Sequence, residues 1–390
     1  MNPGFYIILI AQFLSALADN ALLFAAIALL KEVSAPDWHT PLLQEFFVIS
    51  YIVLAPFVGP FADALPKGRV MFISNAIKLG GCAAMWAGLP PLYAYGVVGI
   101  GAAAYSPAKY GILTEYLPHH QLVKANSWME GTTVAAIILG AILGGMMASR
   151  DSHLALEVIA GLYLLAALFN LRIPHVPIDH RMPKRNPLYA LHDFWHSFAA
   201  LWRDPLGRVS LAVTTLFWGA GATMRLVVIA WAALALNMGL DKATQLTAMV
   251  ALGIAFGSVY AARAVKLQES VKVLPAGIAM GFLVAAMTLV HDWRIAAFLL
   301  FVIGVLSGYF VVPLNALLQH RGHILIGAGH SIAVQNFNEN LGILLMIGIY
   351  AMMVKAELSI HWIVILFGAF VSLVMSAIYK SYRPSPKHPV

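Results

Sequence analysis

The chain has 390 residues, 61% of them hydrophobic and only 11% charged, with a mean hydropathy of +0.81. Soluble domains carry about 25% charged residues, so this much apolar surface has to face lipid, and a water-soluble enzyme is excluded. The formal net charge of +7 invites a nucleic-acid reading that the placement of the basic residues rules out below, and the single cysteine, Cys82, allows neither an internal disulfide nor a cysteine-based metal site.

A spanning helix needs about 20 apolar residues, and backbone polar groups in hydrocarbon must be satisfied inside helices or closed barrels. The apolar runs lack the period of two that marks barrel strands, and they predict about twelve transmembrane helices. The first, 4–30, is too long for a signal h-region, carries Asp19 and has no basic flank, so it is read as a span. Gln12, Ser15 and Asp19 are three and four apart and share one face; Asp19, followed by Asn20, lies roughly 22 Å up the helix. Helix 43–63 leads into Gly59-x-x-x-Asp63-x-x-x-x-Gly68-Arg69, in which Asp63 closes the helix and Gly68 turns the chain into helix 70–89. Lys78, about 12 Å into that helix, is expected to snorkel. Helix 92–115 carries Pro107 and Lys109, helix 122–148 carries Asn126, Glu130 and Thr133 on one face, and 153–172 follows.

The loop 173–207 is rich in proline and basic residues, and its part Leu188–Trp202 is expected to form an amphipathic helix at the membrane surface. The remaining helices are 208–237, with Arg225 roughly 26 Å along it, 243–262, 270–290, 294–318 with Pro313 and Asn315, 327–354 with Ser331, Gln335 and Glu339 on one face, and 359–380. On this map sixteen of the 24 Lys and Arg fall on one side, five on the other and three (Lys78, Lys109 and Arg225) within helices. The richer side is the cytoplasmic one, which puts both termini there. The positive net charge is therefore a topology signal.

The halves repeat weakly. Pro107 is followed by Glu130 and Pro313 by Glu339 at corresponding helix positions, and parallel six-helix repeats around a midplane site describe the major facilitator transporters. The fold class is thus an all-α polytopic membrane protein of two pseudo-symmetric six-helix bundles, 1–172 and 208–390, joined by 173–207. The second-half loop at 257–263 has Ala261 where Asp63 stands in the first. Charges at membrane depth are costly and mark function by default. The depths allow Asp19 to pair with Arg225 and Lys109 with Glu130, either as substrate contacts or as structural ion pairs. The histidines, among them His119, His120, His175 and His180, sit in loops and helix ends and are read as solvated, with no metal site. No phosphate-binding G-x-x-x-x-G-K-[ST] run is present, which argues against an ATP-driven pump.

Six stretches carry a resemblance to a known family: AQFLSALADNALLFA (11–25), GAAAYSPAKYGILTE (101–115), LVKANSWMEG (122–131), LFWGAGATMRL (216–226), GYFVVPLNALLQHRG (308–322) and GAGHSIAVQNFNEN (327–340). They resemble the bacterial lysophospholipid transporters of the major facilitator superfamily. The resemblance implies flipping of lysophosphatidylethanolamine, with lysophosphatidylglycerol second, from the outer to the inner leaflet of the bacterial inner membrane by alternating access. It makes Asp19, with Asn20, the sodium-linked site, and Lys109 and Arg225 the headgroup bases. Glu130, Asn315, Gln335 and Glu339 are the further substrate-binding candidates. In that fold Asp19, Lys109, Arg225 and Asn315 lie on the cavity-lining helices, and Gly59, Asp63, Gly68 and Arg69 form the gating motif. No cofactor is expected beyond Na+ as coupling ion. The implied partner is a cytoplasmic-side acyltransferase/acyl-carrier-protein synthetase, expected as a separate chain because the sequence holds no such domain. Fold analogy has the lipid entering sideways between the halves. Two other readings stay open: a proton-coupled exporter of drugs or small metabolites working through Asp19 or Glu130, and a membrane-embedded enzyme or sensor, against which the lack of any nucleophile–base arrangement counts.

Overall fold

The computed structural model describes residues 3–35, 39–176, 187–238 and 240–382. The basic part of the linker, 177–186, and the tail from 383 lie outside them. Among the described residues there are thirteen α-helices and no strand: α1 Pro3–Glu32, α2 His39–Ala64, α3 Lys67–Trp86, α4 Pro91–Tyr116, α5 Leu122–Ala148, α6 Ser152–Asn170, α7 Pro187–Arg203, α8 Pro205–Ala235, α9 Leu240–Ala264, α10 Leu274–Ala286, α11 Trp293–Ile326, α12 Ala328–Lys355 and α13 Ile360–Ser381. By length and composition ten segments among the described residues can cross a membrane. The helices α3 and α4 are long enough, at 20 and 26 residues, but Ser74, Asn75 and Lys78 in the one and Ser106 and Lys109 in the other dilute their apolar character. The same polar side chains build the candidate site.

Local chemistry sets the helix ends. Asp151 caps α6 by accepting from the His153 and Leu154 amides at 2.9 and 3.0 Å. Asp204 caps α8 by accepting from Gly207 N at 2.7 Å, with Pro205 in the first turn. Gly327, at φ +93°, is the single residue between α11 and α12; only glycine takes that backbone angle without strain. The expected helix 270–290 resolves into α10 flanked by 3-10 turns at Leu267–Val273 and Met287–Leu289. The expected 294–318 is extended to Ile326, because a helix does not stop where its apolar residues do.

The chain divides into two compact units. The first holds Met1–Leu117, Thr132–Ala200 and Gly322–Phe337; the second holds Pro118–Gly131, Leu201–Arg321 and Asn338–Val390. In the first unit two apolar clusters are stacked along α1 and α3. One contains Ile8, Ala11, Met71 and Tyr105, the other Leu22, Cys82, Ile159 and Tyr163. Ser15 and Asp19 on α1, and Ser74, Asn75 and Lys78 on α3, lie at the junction of the two clusters and form a polar layer. In the second unit α10 and α13 cross closely: a Cβ on Gly281 would stand 2.6 Å from the Gly368 carbonyl, and Ser372 donates to the Ile278 carbonyl at 2.9 Å. Large apolar side chains such as Val53, Phe282 and Leu373 are 60%, 67% and 69% exposed. That suits a solvent of lipid and makes this a multi-pass membrane protein.

Candidate functional site

The polar layer of the first unit is built around a charge. Asp19 on α1 receives Lys78 Nζ of α3 on Oδ2 at 2.7 Å and the Tyr163 hydroxyl of α6 on Oδ1 at 2.8 Å. Lys78 also donates to Ser15 Oγ at 3.0 Å, and Ser15 donates to Asn75 Oδ1 at 2.7 Å. The Lys78 side chain is 1% exposed and that of Asp19 is 21% exposed. The partner of Asp19 is therefore Lys78, in place of the expected Arg225, and Lys78 does not snorkel. Its signal in the sequence was a polar stripe, Ser74, Asn75 and Lys78, with the same three- and four-residue spacing as the stripes on the helices read as functional. Asn20 is half-buried and returns its amide to the Ala16 carbonyl of its own helix at 2.8 Å.

Lys109 on α4 is buried, stands 4.7 Å from the Tyr110 ring centroid, and donates to Thr133 Oγ1 on α5 at 3.4 Å. Thr133 in turn donates to Gln12 Oε1 at 3.4 Å, and the Gln12 amide donates to Thr132. The α1 stripe thus has two polar neighbourhoods: Gln12 reaches α5 and Lys109, while Ser15 and Asp19 reach α3 and α6. On α12, Asn336 donates to Ser106 Oγ of α4 at 2.9 Å, and Gln335 beside it is buried.

The second unit uses amides. Asn126 on α5 and Gln319 on α11 exchange two hydrogen bonds of 2.9 Å, and Asn315 donates to Asn126 Oδ1 at 3.1 Å. Ser127 donates to the Ser258 carbonyl of α9 at 2.7 Å. Glu130 on α5 and Glu339 on α12 are buried, whereas Arg225 on α8 is exposed. Arg321 grips the α8 capping residue Asp204 through both Nε, at 3.2 Å, and Nη2.

The loop motif is a separate constellation. The buried Asp63 carboxylate accepts from Lys67 Nζ at 2.7 Å, from the Gly329 and His330 amides at 2.7 and 3.1 Å, and pairs with His330 Nδ1 at 2.6 Å. A carboxylate against the first amides of α12 is favoured by the helix dipole. Lys67 also pairs with Glu115 at 3.0 Å, and His330 Nε2 reaches Asp193 of α7 at 2.9 Å. The basic partner of Asp63 is thus Lys67, four residues on and across the break between α2 and α3, while Arg69 is exposed. Gly59 is where α2 meets α12: a Cβ there would stand 3.0 Å from His330 Cα and 3.1 Å from Ala333 Cβ. Gly68 is the approach of α3 to the end of α6, with the Asn170 carbonyl 2.8 Å from a Cβ built on it. Lys67, Glu115, Asp193 and His330 escaped sequence reading. The Asp63–Lys67 pair spans the Leu65-Pro66 break between α2 and α3, where helical spacing does not apply, and the other contacts join distant segments and leave no local signal.

Residues 8–345 match the family model of the Major Facilitator Superfamily. A protein of Yersinia enterocolitica called "Lysophospholipid transporter LplT" is 48% identical over 91% of this chain and 88% of its own length. One of the same name from Serratia proteamaculans is 47% identical over 96% of this chain and 95% of its own. Among solved structures, the major facilitator transporter FucP in its outward conformation superposes with a TM-score of 0.76 at 14% identity, covering 98% of this chain and 99% of that one. A bacterial homologue of the iron transporter ferroportin in an outward-facing state gives 0.75 at 14% identity, over 98% and 99%. The chain belongs to the major facilitator superfamily, and within it to the family of these lysophospholipid transporters; it is a transporter and not an enzyme.

Proposed function

We propose that this major facilitator protein moves lysophospholipids from the outer to the inner leaflet of the bacterial inner membrane by alternating access, with Na+ as coupling ion. The observation that carries the reading is the identity of nearly one residue in two, over 88% and 95% of their lengths, with proteins named as lysophospholipid transporters. The polar side chains carried by the helices support it chemically. A lysophospholipid brings an anionic phosphate, which Lys and Arg bind through charge-assisted hydrogen bonds, and we assign Lys109 and Arg225 to it. Ethanolamine adds a cation that Glu130 or Glu339 meets, and Asn315 and Gln335 supply neutral hydrogen bonds. The single acyl chain needs only the apolar helices.

Asp19, with Asn20 beside it, is assigned to the coupling ion. Asp63, held between Lys67 and the start of α12 where Gly59 lets the helices touch, is assigned to the gate, with Gly68 turning the chain into α3. Both termini lie in the cytoplasm in this reading, and a cytoplasmic acyltransferase/acyl-carrier-protein synthetase reacylates the delivered lipid. The test is translocation of labelled lysophosphatidylethanolamine in proteoliposomes, with sodium and proton gradients set independently. The expected result is protein-dependent movement to the inner leaflet, accelerated by an inward sodium gradient. Movement of a soluble dye or sugar driven by protons, without lipid movement, would replace this reading with an exporter.

A further inference from the structure

The Lys78 ammonium occupies a seat made for a monovalent cation. It lies 2.7 Å from a carboxylate oxygen and 3.0 Å from a hydroxyl oxygen, and the ring centroids of Tyr105 and Tyr163 are 4.7 and 5.9 Å away. The oxygens it bonds, from Asp19 and Ser15, are hard donors of the kind alkali ions take. The two members of the pair differ in access. Lys78 is sealed at 1% exposure, while Asp19 keeps 21%. An ion arriving from the open side meets the carboxylate before it meets the lysine.

The lysine also has somewhere to go. Ser74, one turn earlier on the same face of α3, buries a hydroxyl with no hydrogen-bond partner among the described residues. Buried polar groups are rarely left so without reason. Gly101 of α4 keeps the stem channel open on that side: a Cβ there would stand 2.7 Å from Lys78 Cγ and from the Ser74 carbonyl. Lysine carries its charge on a flexible four-carbon stem with three rotatable donors, so the ammonium can exchange Asp19 for Ser74 without leaving the layer.

We propose that Lys78 is a tethered competitor of the coupling cation: Asp19 holds either the Lys78 ammonium or a monovalent metal ion, and the exchange between them sets the apparent sodium affinity. The proposal rests on the assignment of Asp19 to the coupling ion made above. With the lysine in place the Asp19 site is neutral without sodium. A free ion has to displace a partner of effectively high local concentration, so the wild-type response should require high sodium.

The experiment is a thermal-unfolding titration of the purified full-length protein in detergent with sodium chloride against choline chloride at equal ionic strength, for wild type, Lys78→Met and Asp19→Asn/Lys78→Met. A ligand that binds only the folded state raises its stability with concentration. Lys78→Met should show a sodium-specific rise in unfolding temperature with a midpoint at least tenfold lower in sodium than wild type, and the double variant should show none. If Lys78→Met is recovered folded only when extracted in sodium, that is the same result in stronger form. Equal sodium midpoints in wild type and Lys78→Met overturn the proposal. So does a Lys78→Met protein that no concentration of sodium restores while the neutral double variant folds, since the pair would then be structural only. Lipid translocation by the wild-type protein, measured in parallel, separates the outcomes: normal translocation with equal midpoints removes the role of Lys78 and leaves the transport reading standing. A tenfold shift without lipid translocation does the reverse.

Discussion

The two units solve the same problem, polar side chains inside an apolar bundle, with different chemistry. In the first unit the polar layer is ionic: Asp19 with Lys78, then Asp63, Lys67 and Glu115 at the end of the helices. In the second, Asn126, Gln319 and Asn315 form an amide network, and Asp204 pairs with Arg321 at the helix ends. The difference is sharpest at matched positions. Two residues after the helix proline stands Lys109 in α4 and Asn315 in α11; eight residues after it stands Glu115 in the one and Arg321 in the other. Glu115 pairs with a lysine and Arg321 with an aspartate, so the register is kept and the sign is reversed. Repetition has kept the helix geometry, while charge has been redistributed. The ionic half suits a task that needs a cation to come and go, and the amide half suits positioning.

The comparison can be broken most severely at Asp63. Asp63→Ala removes the acceptor of four contacts and leaves the buried Lys67 with Glu115 and the Ala62 carbonyl. Removing one member of a buried ion pair costs about 3–5 kcal/mol, and a thermal melt of the purified variant should show the largest loss of any substitution named here. Asn126→Ala tests the amide half. It strands groups of Gln319 and Asn315 in the interior, a penalty of about 1–3 kcal/mol. A loss equal to that of Asp63→Ala would erase the distinction between the two regions. Gly59→Ala adds one methyl at the crossing of α2 and α12 and should cost on the order of 1 kcal/mol by overpacking, read as a lower unfolding midpoint with lipid binding retained. Glu269→Ala removes the exposed pair with Lys272 and should change neither melting nor transport, because exposed pairs contribute little.

Much of this was legible in the sequence, and the misses are physically uniform. The spans could be read because a lipid solvent demands about 20 apolar residues in a row. Asp19, Lys109, Asn126, Glu130 and Glu339 stood out because polar residues at membrane depth are expensive. Lys78 resembles a snorkelling lysine in the sequence because its partners Ser15 and Asp19 are some sixty residues away. The loop motif ends on Arg69, whereas the base that meets Asp63 is Lys67, the first residue of α3. His330 and Asp193 become a pair only when α7 and α12 meet, and no periodicity predicts that. The ends of α10 and α11 were misplaced because hydropathy marks where a helix is greasy, not where its hydrogen bonds stop.

The central claim is that the charged side chains assigned to the headgroup move a lysophospholipid. The direct measurement is the rate at which labelled lysophosphatidylethanolamine leaves the outer leaflet of proteoliposomes, for wild type beside Arg225→Ala. Arg225 is exposed on α8, so its removal should leave the unfolding temperature unchanged. The account predicts rapid translocation by the wild type and none above protein-free vesicles for the variant at equal melting temperature. Equal rates for the two would contradict it.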